Sequence, residues 1–284
     1  MNLKFSPIIF FLSTILAGFF FVNYPHLISL AEVTDTTQPT AIDIDRLRQN
    51  DVIYLGENHD NAQHHVQQLK LIEQLQQADD ANLAIGMEMF QRPFQPIIDR
   101  YLNREISEDE LREQTEYDTR WGFDWDFYAP ILRYARAKQI QTIALNTPEE
   151  ITHKVAQTGI NSLEGNDFKY IPPLAEIDLD NQEYRQAIKK IYLQHVAAGQ
   201  GNSTDFNNFF AAQVLWDETM AEAIALHYQN NPQAKIVVLV GKAHVMNDYA
   251  IPDRVTRRIK DKSFKSTVYL LTDVTALQRS VETR

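Results

Sequence analysis

At 284 residues, 44% hydrophobic and 23% charged, the chain is long enough to bury one large core, and its composition excludes a disordered protein. It has no cysteine, so disulfides, thiolate metal ligands, a cysteine nucleophile and lipidation through an N-terminal cysteine are all excluded. The formal charge is -11, and becomes -12 once residues 1–31, with Lys4 alone charged, are set aside; phosphate contacts need a basic surface, so nucleic acid is not an expected partner.

Lys4 precedes an apolar stretch from Ile8 to Val22, and Ser29-Leu30-Ala31 places small residues at signal-peptidase spacing. Cleavage between Ala31 and Glu32 is expected, with export to the periplasm or cell envelope. The alternative is an uncleaved N-terminal membrane anchor, although the stretch falls short of the about 20 apolar residues a spanning helix needs. Residues 32–42 are polar and read as a linker, which leaves 43–284 as one domain.

That domain opens on Val52-Ile53-Tyr54-Leu55, a run suited to a strand covered on both faces. A helix follows over Asp60 to Ala78, with Asp60 as N-cap and Ala62, His65, Val66, Leu69 and Ile72 on its apolar face. A second strand runs from Leu83 to Glu88, and Pro93 and Pro96 then break the chain before a helix bearing Ile97, Ile98, Tyr101 and Leu102. Ser107 and Glu110 have capping-box spacing. The cluster Trp121 to Tyr128 leads into a helix over 129–138, and a third strand ends at Asn146. From 149 to 231 no strong strand is found; helices are expected at 148–157, 180–198 and 204–229, around a loop at Pro172-Pro173. The fourth strand is Lys235 to Val240 and the fifth Thr267 to Leu271. The fold class is therefore α/β, a mostly parallel sheet flanked by helices, with a helical insertion at about 148–231 between the third and fourth strands.

One phrase occurs twice. Val52 to His59 and Val237 to His244 are both buried strands that run into Gly-x-x-His. Ligands gather beyond the carboxyl ends of parallel strands, so Glu57, His59, Glu88, Asn146 and His244 are expected to converge on one rim. Glu57, His59, Glu88 and His244 offer the mixed oxygen and nitrogen donors that suit zinc, manganese or iron. Lys242 stands where the second phrase would repeat Glu57, and argues against a dinuclear site. His65 is within reach of the rim, with His64 to one flank. His195 lies in the insertion near Tyr184 and Tyr192, and tyrosine, like histidine, ligates haem iron. In the core helix from Phe206 to Ala221, Gln213, Asp217 and Glu218 require partners if buried, so this helix is expected to brace the rim. Serine-elbow, phosphate-loop and dinucleotide motifs do not appear.

Together, Gly56-Glu57-Asn58-His59-Asp60 with His64-His65, Gly86 to Phe90, Trp121 to Trp125, Ala144 to Pro148, Ala212 to Ala221, Gly241 to His244 and Ile251 to Arg254 resemble the ChaN-like haem-binding uptake proteins of the Tiki superfamily. The resemblance spans about residues 48 to 275. It implies an exported protein of haem or iron acquisition that holds haem in its helical part, across a homodimer, through tyrosine and histidine, and meets envelope transport components. Tyr170, Tyr184, Tyr192 and His195 are the ligand candidates, with His64 and His65 beside them. Distant kinship with Tiki-type metalloproteases and erythromycin-esterase-like hydrolases is also implied, in which the positions matching Glu57, His59, Glu88 and His244 are the functional ones.

Three readings follow from these residues. The first is a haem-binding protein of the envelope. The second is a hydrolase in which a divalent metal at the rim activates water, with Glu57 or Glu88 as general base and Asn146 beside them. The third is an interaction protein that keeps an enzyme fold without its chemistry.

Overall fold

The buried aliphatic runs become five strands of one sheet in the computed structural model, which describes residues 44–79, 82–197, 205–246 and 249–272. A short helix α1 (Ile44–Leu47) leads into β1 (Val52–Glu57), α2 (Ala62–Asp79) and β2 (Leu83–Gln91). Next come α3 (Gln95–Leu102), α4 (Glu108–Gln114), α5 (Tyr117–Arg120), α6 (Trp125–Lys138) and β3 (Gln141–Asn146). Between β3 and β4 the described elements are all helical: α7 (Glu149–Thr158), three short 3-10 turns, α8 (Gln182–Ala197) and α9 (Phe206–Asn230). The chain continues through β4 (Lys235–Gly241), α10 (Ile251–Arg258) and β5 (Ser266–Leu270). The expected signal peptide and linker lie outside the described residues.

The strand order is β3-β2-β4-β1-β5, and every pairing is parallel. All five carboxyl ends therefore open on one rim. The two Gly-x-x-His strands, β1 and β4, are direct neighbours, but they pair one residue out of phase: Gly56 stands opposite Val240 and Glu57 opposite Gly241. The Gly241 carbon thus takes the place beside Glu57 that a second acid would fill in an in-register repeat.

Side chains alternate across the sheet with period two. Ile53, Leu55, Ile85, Met87, Val237 and Leu239 pack with residues of α2, α3 and α6 in one core. Val52, Tyr54, Ala84, Ile236, Val238 and Val240 pack with α9 and α10 in a second. Burial on both faces explains why these strands lack a polar alternation. α9 spans about 37 Å at 1.5 Å per residue, long enough for its first half to join α7 and α8 in a third core while its second half lies on the sheet. On the edge strand β3, the Gln95 side chain donates to the Thr142 carbonyl at 2.8 Å and accepts from the Ala144 amide at 2.7 Å, covering part of an edge that would otherwise invite another strand.

Two local expectations are corrected. Asn61, rather than Asp60, takes the Gln63 amide at 3.0 Å at the start of α2. The buried face of α2 is His64, His65, Gln68, Leu71, Ile72 and Leu75, whereas Ala62 is exposed and Val66 is 61% exposed. Hydropathy placed the face wrongly because three of the buried residues are polar, and each finds a hydrogen-bond partner inside.

Candidate functional site

The pleat points Glu57 at the end of β1 toward α2 and α6. There its carboxylate accepts from the Tyr128 hydroxyl at 2.5 Å, from the Gln68 amide and from His59 Nδ1 at 2.7 Å. His65 lies 3.7 Å away, stacked on Phe127, with its Nε2 donating to the His59 carbonyl at 3.0 Å. His64 Nδ1 accepts from the Asn58 amide at 2.9 Å, which fixes the turn that carries His59.

From β2, Glu88 stands between two imidazoles. His59 Nε2 is 3.9 Å from one carboxylate oxygen and His244 Nε2 is 3.3 Å from the other, while the Gly241 amide donates to it at 2.6 Å. His244 Nδ1 donates to Asp217 on α9 at 2.5 Å, and the Tyr184 hydroxyl from α8 donates to the other Asp217 oxygen. The result is an alternating chain of acid, imidazole, acid, imidazole and acid (Glu57, His59, Glu88, His244 and Asp217), closed by a tyrosine at either end. It crosses the sheet's rim from the α2/α6 face to the α9 face. His59 is its outermost member, its side chain 11% exposed beside the rings of Trp121 and Phe123.

Its electrostatics follow from burial and pairing. Burial alone would raise the Glu57 pKa, but the hydrogen bond and charge of His59, with His65 and Tyr128, pull it down to about 2. Burial opposes protonation of His244, yet Glu88 and Asp217 push its pKa up to about 9. His59 is also raised against its burial, by Glu88 and Glu57. The Tyr128 and Tyr184 phenols are held far from ionisation by burial and by the carboxylates they face. The outer links of the chain, His59 to Glu57 and His244 to Asp217, are hydrogen bonds, whereas Glu88 faces the two imidazoles at ion-pair distances of 3.9 and 3.3 Å.

The structure brings Glu57, His59, Glu88 and His244 together, with His65 against them. Asn146 is drawn in as a brace: its amide donates to the Glu88 main-chain carbonyl at 2.8 Å, steadying the irregular end of β2. The arrangement does not support the divalent-metal site expected of these residues. Among the described residues no group of three or more His, Asp or Glu is spaced to hold a metal ion, and Glu57 and Asp217 are already occupied as acceptors for the imidazoles. Lys242 begins the turn after β4. The acid that partners His244 comes instead from α9, so the expectation that this helix braces the rim is met, through Asp217. Sequence reasoning missed Tyr128 and Gln68; their signal was a polar residue on an otherwise apolar helix face, which marks a partner only when the neighbour is known.

Of the residues expected in haem binding, Tyr184 is buried and engaged with Asp217, and His64 and His65 belong to the rim. Tyr192 on α8 packs against Phe206 and Phe209, with centroids 5.5 and 5.2 Å away, and His195 follows three residues later on the same helix. Tyr170 lies half-buried at the end of the second of the three 3-10 turns, which spans Gly165–Lys169.

Gly241 makes the rim possible. A Cβ there would fall 2.5 Å from His59 Nε2, and His59 cannot retreat from Glu57, Trp121 and Phe123 without losing them. Gly241→Ala is expected to destabilise the fold by about 1–3 kcal/mol through overpacking, measured by urea denaturation. A change below about 0.5 kcal/mol, the usual range of a surface substitution, would show that the imidazole has room to move.

A family model described as haem-binding uptake, Tiki superfamily, ChaN matches residues 44–255. No curated protein matches the chain. Among solved structures, ChaN of Campylobacter jejuni with cofacially bound haem is similar at a TM-score of 0.61 and 21% identity, over 81% of this chain and 85% of that one. A mutant of the erythromycin esterase EreC in its open conformation gives 0.46 and 15%, over 79% and 71%. RRSP, a MARTX toxin effector domain from Vibrio vulnificus, gives 0.44 and 17%, over 82% of this chain and 36% of that one.

Proposed function

Since the chain belongs to the ChaN family of haem-binding uptake proteins in the Tiki superfamily, we propose that it is an exported protein that binds haem and serves in haem or iron uptake or handling. The observation that carries this reading is the family match over residues 44–255. The donor set fits haem. Iron in haem takes phenolate or imidazole ligands, and the helical insertion holds Tyr170 and Tyr192 with partly exposed rings and His195 on α8. The outer face of α8 also displays Leu193 and Val196, 55% and 54% exposed, apolar surface of the kind a porphyrin covers. The haem supplies the iron; the chain's part is to bind and orient it and to shield it from water.

Export rests on the N-terminal apolar stretch and the Ser29-Leu30-Ala31 site. No helix among the described residues is long and apolar enough to cross a membrane. A homodimer and envelope transport components are the proposed partners besides haem.

The test is to titrate the full chain with hemin, pass it through a desalting column and record the Soret band. A retained, stoichiometric band is expected, with a change in sedimentation on loading if haem is held across a dimer. Absence of any retained band would remove the haem reading.

A further inference from the structure

Away from the rim, a cleft of about 660 Å³ opens between the second half of α9, the last turn of α10 and the loop at 175–180. Clefts of about 300–1,000 Å³ suit small organic ligands. Arg257 and Arg258 line it from the end of α10, Glu176, Asp178 and Asp180 from the loop, and Leu226 from α9. Arg258 is the informative residue. Its side chain is only 9% exposed, and of its nitrogens Nη1 alone is engaged, with Glu218 at 2.6 Å and the Arg254 carbonyl at 3.1 Å. Nε and Nη2 are buried and have no hydrogen-bond partner among the described residues. Together they form one edge of the guanidinium, a fork that matches the two oxygens of a carboxylate. The Glu176 carboxylate approaches that edge only to 3.9 Å from Nε, too far for a hydrogen bond. Glu176 is exposed, and Arg257 donates to its main-chain carbonyl at 3.2 Å, so its side chain can swing into solvent while the turn Leu174–Glu176 stays in place.

We propose that this cleft binds a small zwitterion, a free α-amino acid or short peptide, whose carboxylate takes the place of Glu176 on Nε and Nη2 of Arg258 and whose ammonium faces Asp180. Buried charged donors without an acceptor cost free energy, which an incoming carboxylate recovers. Asp178 is committed, accepting from the Asp180 amide at 2.9 Å and pairing with Arg257 at 3.5 Å. Asp180 is exposed and bonds its neighbours through its main chain alone, which leaves its carboxylate for a cation. Three acids beside the arginine edge disfavour a polyanion such as phosphate, and a cation alone would leave that edge unpaired. Leu226, 43% exposed, offers apolar surface to a ligand side chain, so leucine is a suitable probe. The proposal does not rest on the haem reading.

The test is calorimetric titration of the full chain with L-leucine and leucyl-leucine, beside N-acetyl-leucine, which lacks the ammonium, and leucinamide, which lacks the carboxylate. Leucine or the dipeptide is expected to bind, the tighter of the two telling free amino acid from peptide, and leucinamide to bind at least about tenfold more weakly, as the loss of hydrogen bonds to a charged group implies. Arg258→Lys keeps a charge beside Glu218 without the fork, and should lose about tenfold or more for the same reason. N-acetyl-leucine, and Asp180→Asn with leucine, should each bind about two- to fivefold more weakly, the worth of an exposed ion pair. Glu176→Ala should bind about two- to fivefold more tightly, because it removes the anion that the ligand displaces; a merely structural role for Glu176 would give no such gain. If Arg258→Lys fails to fold, the opposite effects of the two surface variants, Asp180→Asn and Glu176→Ala, still decide. No binding of leucine or the dipeptide at millimolar concentration, leucinamide binding as well as leucine, or Glu176→Ala binding no better than wild type would each overturn the proposal.

Discussion

Replacing Glu218 by glutamine is expected to cost about 3–5 kcal/mol, the loss typical when one partner of a buried ion pair is removed. Glu218 is fully buried on α9, and three arginines of α10 converge on its carboxylate. Arg254 bonds one oxygen, Arg257 reaches both at 2.6 and 2.8 Å, and Arg258 meets the second at 2.6 Å. The Asp178 amide adds a fourth donor at 3.1 Å. An amide of the same shape keeps the packing but leaves the guanidiniums facing one another without their shared anion. Arg254, 2% exposed, cannot turn to water. Asp178, 3.5 Å from Arg257, and Glu176, 3.9 Å from Arg258, compensate only the outer two. Against a typical total stability of about 5–15 kcal/mol, the variant should melt about 6–20 °C below wild type, at roughly 2–4 °C per kcal/mol. Glu150→Gln is the control: Glu150 also pairs with an arginine, Arg120, but its side chain is 63% exposed, and it should cost no more than about 1 kcal/mol. Equal melting temperatures for the two variants would refute the argument that burial sets the cost.

The sheet was legible because burial on both faces leaves a plain mark: Val52 to Leu55 and Ile236 to Val240 have no charged position to confuse the reading. Parallel strands then require a common rim, and the rim brought Glu57, His59, Glu88 and His244 together as expected. Register was not legible. Nothing in Gly-Glu-Asn-His and Gly-Lys-Ala-His says that they pair one residue out of phase, since twist and flanking helices set that shift. The partners from distant elements, Tyr128 on α6 and Tyr184 on α8, were hidden for a related reason: a buried tyrosine in a helix looks like core until its hydroxyl is placed. Asp217 and Glu218 gave a clearer signal, two adjacent acids in an apolar helix, because buried charge demands a partner.

The same burial makes the rim a pH-dependent part of the fold, and Asp217 is where that can be tested. His244 has its pKa raised from 6.5 to about 9 by Glu88 and Asp217, so its protonated form stabilises the native state. That contribution is fully present below pH 6.5 and is lost as pH rises through about 9. A shift of this size corresponds to about 3 kcal/mol at about 1.4 kcal/mol per unit. Glu57 has the opposite sign. Lowered from 4.5 to about 2, it stabilises above pH 4.5 and loses that contribution as pH falls toward 2. Between about pH 4.5 and 6.5 both contributions are fully present. Asp217→Asn keeps the shape and leaves Glu88 as the carboxylate facing His244, so the imidazolium loses its 2.5 Å acceptor charge. The variant is expected to lose about 3 kcal/mol at pH 6.5, and to fall less steeply than wild type between pH 6.5 and 9 because its His244 is less strongly raised. Guanidinium denaturation of both proteins across that range decides it. A wild-type stability that does not decline from pH 6.5 to 9, or a variant that declines in parallel, would mean that Asp217 does not hold the proton on His244.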